Sequence, residues 1–127
     1  MQTSKTILIV EDNPINLKLL RDILNFQKFE VIETIDGKSA IETVENNYNK
    51  IDLILMDLQL PDMNGLEVIQ KIKTTPESKN IPIIVVSAHA MESDIKKCYE
   101  AGCLDYITKP INVQEFINKI NLFFSSK

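Results

Sequence analysis

The sequence predicts an α/β fold in which five strands alternate with five helices around a parallel sheet. Short runs rich in isoleucine and valine alternate with longer amphipathic stretches, the pattern of βα units. Two of those runs, Ile7–Val10 and Ile83–Val86, have no polar break and read as strands covered on both faces. At 127 residues and 44% hydrophobic composition the chain fits one domain. A chain of that size buries roughly two-thirds of its unfolded surface, enough for a real core.

Taken in chain order, the first strand is Ile7–Val10. Asn13-Pro14 then sets a cap residue before a proline in the first helical turn, and Ile15, Leu19, Leu20, Ile23 and Leu24 mark the inward face. The second strand, Phe29–Thr34, is mixed in polarity and belongs nearer an edge. The second helix runs from about Gly37, with Ala40, Ile41 and Val44 inward. Strand Ile51–Met56 is central despite one polar break at Asp52. The third helix starts near Gly65 with Leu66, Ile69 and Ile72 inward, and Gly65 is expected to supply a backbone conformation that other residues resist. Ile83–Val86 follows, then a helix over Glu92–Ala101 with Ile95 and Cys98 inward and Gly102 as its stop. Leu104–Ile107 is the last strand. The last helix opens with Asn112, and Glu115 makes a capping-box-like pair with it. Phe116, Ile117, Ile120, Phe123 and Phe124 form its apolar face, read as core, with a partner contact at Phe123 and Phe124 as the alternative.

Composition narrows the class of function. The formal net charge is −4 and no lysine–arginine block exists, so the electrostatic footprint of a nucleic-acid binder is missing. An acidic balance suits solubility and binding of a cation. Cys98 and Cys103 fit no zinc spacing and are expected to be free, mostly buried thiols of a reducing compartment. The N-terminal apolar run is too short for a signal peptide or a membrane span, which leads to the expectation of a cytoplasmic protein with no membrane partner.

In open α/β sheets, ligands sit outside the carboxyl ends of the strands. The first strand ends in Glu11-Asp12, the third in Asp57, the fourth in Ser87, and the fifth is followed by Lys109-Pro110. If the strands are parallel, these residues converge on one rim. Three carboxylates placed together repel one another and call for a cation, and oxygen-only ligation suits Mg²⁺, with Mn²⁺ as a substitute. Asp12 and Asp57 are expected to ligate it directly, with the backbone carbonyl of Gln59 as a third oxygen and Glu11 acting through water. Asp57 is then the nucleophile toward a phosphoryl group. Charge on the three equatorial oxygens falls to the metal, to the Lys109 ammonium, and to the Ser87 hydroxyl with nearby N–H groups. The bond between Lys109 and Pro110 is a candidate for the cis form. His89, two positions past Ser87, is read as a loop residue, with tuning of water access to the phosphoryl site as the alternative.

The segments Ile7-Leu-Ile-Val-Glu-Asp-Asn, Leu53-Ile-Leu-Met-Asp-Leu-Gln-Leu-Pro-Asp-Met-Asn-Gly, Val86-Ser-Ala and Tyr106-Ile-Thr-Lys-Pro resemble the response-regulator receiver family over essentially the whole chain. Within it, the stand-alone regulators of the DivK type look most similar. The resemblance implies a flavodoxin-like (βα)₅ three-layer sandwich with sheet order 2-1-3-4-5, read as one receiver domain over residues 1–127. It makes Glu11 and Asp12 the acidic pair, Asp57 the phosphoacceptor, Ser87 the switch hydroxyl, Tyr106 the switch aromatic and Lys109 the invariant lysine. Ser87 stands where threonine is commoner and keeps the hydroxyl, while the small Ala88 leaves the site open.

The implied function is that of a phosphorelay response regulator, a signalling phosphoacceptor that catalyses only its own phosphoryl transfer and dephosphorylation. Its donor is a sensor histidine kinase or histidine phosphotransfer protein. Its reader is a downstream kinase or effector protein contacted through the face of helix 4, strand 5 and helix 5. Its state is monomer or weak phosphorylation-dependent dimer. Three rivals compete with this reading. A haloacid-dehalogenase-type phosphatase needs an acid where this chain has Gln59. A flavin or nucleotide domain needs a phosphate-binding loop where Glu11-Asp12-Asn13 repels phosphate. A phosphorylation-independent scaffold is opposed only by the intact site.

Overall fold

The computed structural model describes residues 4–88 and 91–125. Its elements are β1 (Thr6–Val10), α1 (Pro14–Phe26), β2 (Glu30–Thr34), α2 (Gly37–Asn47), β3 (Leu53–Met56), α3 (Gly65–Thr74), β4 (Ile83–Ser87), α4 (Glu92–Ala101), β5 (Asp105–Thr108) and α5 (Val113–Ser125). The five strands form one sheet in the order β2-β1-β3-β4-β5, every neighbouring pair parallel. This is the flavodoxin-like arrangement, with the expected edge position for β2.

Alternation along the strands builds two cores, because successive side chains point to opposite faces. Leu8, Val10, Ile54, Met56, Ile83 and Val85 pack against Ala40, Val44, Val68, Ile69, Ile72 and Cys98 of α2, α3 and α4. Ile7, Ile9, Leu53, Leu55, Ile84 and Val86 pack against α1 and α5 through Leu17, Leu20, Ile23, Leu24, Phe116 and Ile120. Helices therefore cover both faces; β3 and β4 are buried from end to end, and β1 from Ile7 onward.

Local chemistry sets the helix ends. Asn13 Oδ1 accepts from Ile15 N–H at 2.9 Å and Asn16 N–H at 3.1 Å, with Pro14 at the first helical position. Asn64 and Glu67 form a capping box on α3. Asn112 Oδ1 accepts from Glu115 N–H at 3.0 Å. Gly102 closes α4 in the left-handed region at φ 111°. The Lys109–Pro110 bond is cis.

Several expectations need correction. In α1 the inward stripe is Leu17, Leu20, Ile23 and Leu24, whereas Ile15 is 78% exposed and Leu19 lies at the surface. Helical spacing alone does not say which of two adjacent apolar stripes faces the sheet. In α3, Val68 joins Ile69 and Ile72 in the core, while Leu66, like Ile41 of α2 and Ile95 of α4, is only partly buried. Phe29 lies outside β2 because its N–H closes α1 on the Leu24 carbonyl at 3.0 Å, behind Lys28 at φ 72°. Ile51 lies outside β3 because its N–H turns back to Asn47. Register against β4 places Asp105 opposite Ile84, so β5 starts one residue late and Leu104 is exposed. Gly65 does not take a positive φ. A Cβ there would meet the Asp57 carbonyl oxygen and, at 2.7 Å, the Leu58 Cα, so close backbone approach is what excludes a side chain.

Candidate functional site

The sheet ladder carries the site residues to one rim. Asp57 N–H donates to the Val10 carbonyl at 3.0 Å, so Asp57 leaves β3 beside Glu11 at the end of β1. Lys109 N–H donates to the Ser87 carbonyl at 2.9 Å, which fixes the turn after β5 against the end of β4. Across this rim the Lys109 ammonium donates to Glu11 Oε1 at 2.7 Å and to Asp57 Oδ2 at 3.0 Å. Its two partners stand 98 and 52 positions away in the chain. Glu11 is 1% exposed and Asp57 5% exposed. Asp12 stays open to solvent.

One carboxylate oxygen each from Glu11, Asp12 and Asp57 lie within 4.8 Å of one another. They line a cleft of about 460 Å³ with Gln59, Ala88 and Lys109. Gln59 N–H donates to Asp57 Oδ1 at 3.1 Å, so both Asp57 oxygens are oriented. Glu11 Oε2 accepts from Asn13 N–H at 3.2 Å, and with Oε1 on Lys109 the Glu11 carboxylate is engaged on both sides. That leaves the Asp12 carboxylate as the least constrained donor.

The electrostatics follow from burial and crowding. Burial pushes the Glu11 carboxyl above the ordinary range, the Asp57 charge adds to this, and Lys109 opposes it. Burial by itself lowers Lys109, but its hydrogen bonds to Glu11 and Asp57 overturn that and hold the ammonium above its ordinary value. When all are ionised, three carboxylates face one ammonium, which leaves two negative charges in excess. A divalent, oxygen-seeking cation is the species that balances such a set.

Ser87 is fully buried at the end of β4, paired in register with Thr108. The Tyr106 ring packs on the core shared with α2, α3 and α4. Its hydroxyl is buried and meets no hydrogen-bond partner in good geometry among the described residues. Burial pushes the Tyr106 phenol up, and the nearby Ser87 side chain opposes this in part. The structure thus gathers Glu11, Asp12, Asp57, Gln59 and Lys109 around one cleft and sets Ser87 and Tyr106 behind it. His89 lies outside the described residues. Asp62 lies in the segment that carries the resemblance but is given no role there, because its partners, the Gly37 and Lys38 amides, belong to α2.

Cys98 and Cys103 are free and buried, and burial pushes the Cys103 thiol up to about 12. No helix among the described residues is long and apolar enough to cross a membrane.

Comparison with known proteins matches residues 7–121 to the response regulator receiver domain. The polar-differentiation response regulator DivK of Brucella ovis is 42% identical over 120 residues, covering 94% of this chain and 96% of that protein. Among solved structures, the Borrelia burgdorferi CheX–CheY–BeF3–Mg²⁺ complex contains a chain with TM-score 0.88 and 29% identity, covering 94% of this chain and 89% of that one. The receiver domain of a Pseudomonas aeruginosa PAO1 sensor histidine kinase, solved with magnesium coordinated in its active-site cleft, gives TM-score 0.82 and 32% identity, covering 91% of this chain and 93% of that one. With the sheet order, the strand-end cleft and these likenesses in agreement, the chain belongs to the response regulator receiver domain family.

Proposed function

We propose that this chain, read as one receiver domain over residues 1–127, accepts a phosphoryl group on Asp57 and signals the change by protein–protein contact. The observation that carries the reading is the Lys109 ammonium bridging Glu11 and Asp57 in a buried position beside the Asp12 carboxylate. No fold requirement demands four charged groups at one rim of a sheet, and the repulsion among the three carboxylates needs a function to explain it.

The donor set fits Mg²⁺, with Mn²⁺ as a substitute. Asp12, Asp57 and the Gln59 carbonyl are the residues to hold it directly, and Glu11, already engaged with Lys109, acts through water. Bound there, the ion supplies charge neutralisation for the phosphoryl oxygens. The chain's own residues do the rest. Asp57 attacks phosphorus, a bond forms between its carboxylate oxygen and phosphorus, and the bond to the donor's nitrogen or oxygen breaks. The Gln59 amide fixes one Asp57 oxygen so that the other is presented. Lys109, hydrogen-bonded to Asp57 before reaction, is placed to follow the new charge onto a phosphoryl oxygen. Water attack on phosphorus reverses the modification and releases inorganic phosphate.

The output follows from Ser87 and Tyr106. Charge added at Asp57 draws the Ser87 hydroxyl, whose neighbour is the Tyr106 ring. Tyr106 lies on β5 between α4 and α5, so repacking there alters the face made by these three elements. A sensor histidine kinase or histidine phosphotransfer protein is the donor class, and a downstream kinase or effector protein is the reader.

The test is incubation with acetyl phosphate and Mg²⁺ followed by intact-mass measurement. One base-labile phosphoryl group is expected on the wild type and none on Asp57→Asn. An unmodified wild type under every donor sinks the proposal, and steady phosphate release from many substrates points to a phosphatase instead.

A further inference from the structure

The loop joining β3 to α3, residues 58–64, carries the Gln59 amide that orients Asp57 and the Gln59 carbonyl assigned to the ion. Two sets of contacts hold it. At its base, Gly65 N–H donates to the Leu58 carbonyl at 2.8 Å, and Gln59 and Asn64 form an antiparallel bridge. At its tip, Asp62 reaches a different helix. Its Oδ1 accepts from Gly37 N–H at 2.8 Å and its Oδ2 from Lys38 N–H at 2.9 Å.

Those two amides open α2, and no carbonyl of the helix can satisfy them. The helix's own cap, Asp36, takes only the third, Ser39 N–H, at 2.8 Å. The first turn of α2 is therefore shared between a local carboxylate and one delivered by the loop that follows Asp57. Apolar packing strengthens the join, since a Cβ on Gly37 would run into the Met63 side chain. Both Asp62 oxygens are engaged, and a carboxylate at a helix N-terminus is favoured by the oriented peptide groups. The backbone hydrogen bonds also hold the Asp62 carboxyl below its ordinary range, so the contact persists at neutral pH.

We propose that Asp62 is a positioning residue for the cation: by tying the tip of the β3–α3 loop to the N-terminus of α2, it holds Gln59 where its carbonyl meets the ion and its amide meets Asp57. The inference rests on the reading of the cleft as a Mg²⁺ site. Without Asp62 the carboxylates stay where they are, since strand ends hold them. The loop keeps only its base contacts, and the Gln59 carbonyl must be ordered when the ion binds. Affinity for the ion should fall, while the helix loses one part-buried and one exposed hydrogen bond at its first turn.

The discriminating comparison is calorimetric Mg²⁺ titration of the wild type, Asp62→Ala, Asp62→Asn and Asp36→Ala, with amide hydrogen exchange at Gln59 in metal-free buffer. Asp36→Ala removes a cap from the same helical turn and leaves the loop alone. Asp62→Ala should weaken Mg²⁺ binding about tenfold, as loss of a group that supports a ligand commonly does. Its Gln59 amide should exchange faster. Asp62→Asn keeps one acceptor oxygen and should fall between. Asp36→Ala should bind Mg²⁺ like the wild type although it unfolds at lower denaturant. Wild-type affinity in Asp62→Ala, or an equal loss in Asp36→Ala, overturns the proposal. If Asp62→Ala does not fold, wild-type affinity and exchange in Asp62→Asn overturn it. A wild type that takes up no Mg²⁺ overturns the reading of the site itself.

Discussion

Lys109 is the residue on which the charge balance of the cleft depends. Its ammonium is the partner of two buried carboxylates, so Lys109→Ala should cost about 3–5 kcal/mol, the usual result of stranding buried charge. Asp12 has the opposite sign. It adds a third carboxylate to a crowded cleft, and Asp12→Ala should stabilise the metal-free protein by about 1 kcal/mol through lost repulsion. Added Mg²⁺ should then raise the stability of the wild type, because a ligand that binds only the folded state adds RT ln(1 + [L]/Kd), and Asp12→Ala should lose most of that gain. Urea unfolding in EDTA tests the two variants, where a destabilised Asp12→Ala or an unchanged Lys109→Ala contradicts the charge balance, and a wild type indifferent to added Mg²⁺ contradicts the third expectation. Tyr106 offers a separate test. Among the described residues its buried hydroxyl has no partner in good geometry, which costs free energy, so Tyr106→Phe should raise stability by about 1 kcal/mol. A loss of that size would mean that the hydroxyl is satisfied after all. If the switch runs through Tyr106, the same variant should also uncouple Asp57 phosphorylation from reader binding.

At the scale of elements, two glycines at the ends of helices should behave differently when given a methyl group. At Gly65 the new carbon meets the backbone of Asp57 and Leu58, which cannot move without shifting the proposed phosphoryl acceptor. Gly65→Ala should cost about 3 kcal/mol, the upper end for overpacking, and slow the reaction with acetyl phosphate. At Gly102 the cost is the left-handed backbone, about 1–2 kcal/mol, with the Lys73 side chain the nearest neighbour at 3.1 Å and no effect on Asp57 chemistry. Equal phosphorylation rates in the two variants would contradict the distinction. The same elements show what the sequence could reveal. Asp12, Asp57, Ser87 and Lys109 were legible because each follows an apolar run, and parallel strands must deliver such residues to one rim. The central position of β1 and β4 was legible from uninterrupted Ile and Val. The inward face of α1 was legible only in part: Leu20, Ile23 and Leu24 were placed, but Ile15 and Leu19 share their helical spacing and only packing on the sheet shows that Leu17 completes the stripe. Lys28 hid the end of α1, because its left-handed conformation is one that glycine usually takes. Asp62 and Gly65 have partners in other elements, so their roles exist only once the chain is folded.

At the scale of the whole molecule, burial acts in one direction on four weak acids of high pKa. Cys98, Cys103, Tyr99 and Tyr106 are all pushed up, each first by burial, and Cys103 reaches about 12 from 9.0. A raised folded-state value means that the native chain keeps its proton while the unfolded chain has lost it. The unfolded chain then binds fewer protons than the folded one, so stability falls as pH rises. The Cys103 contribution is full below pH 9 and is lost progressively between 9.0 and about 12. One such group sets a limiting slope of about 1.4 kcal/mol per pH unit inside that window. Lys109, also held above its ordinary value, has the same sign near the top of the range. The fold should therefore lose stability above pH 9 more steeply than a chain whose thiols are exposed. Cys103→Ala isolates the largest part. It should be less stable than the wild type at pH 8, where the sulfur only fills space and the neutral thiol costs nothing. The gap should close, and then reverse, as pH climbs toward 11, because the variant has no thiolate to release on unfolding. Urea unfolding of both proteins at half-unit steps from pH 8 to pH 11 reads the two slopes directly. Parallel curves across that range would mean that the Cys103 thiol ionises as readily in the folded chain as in water, which its burial at 6% exposure argues against.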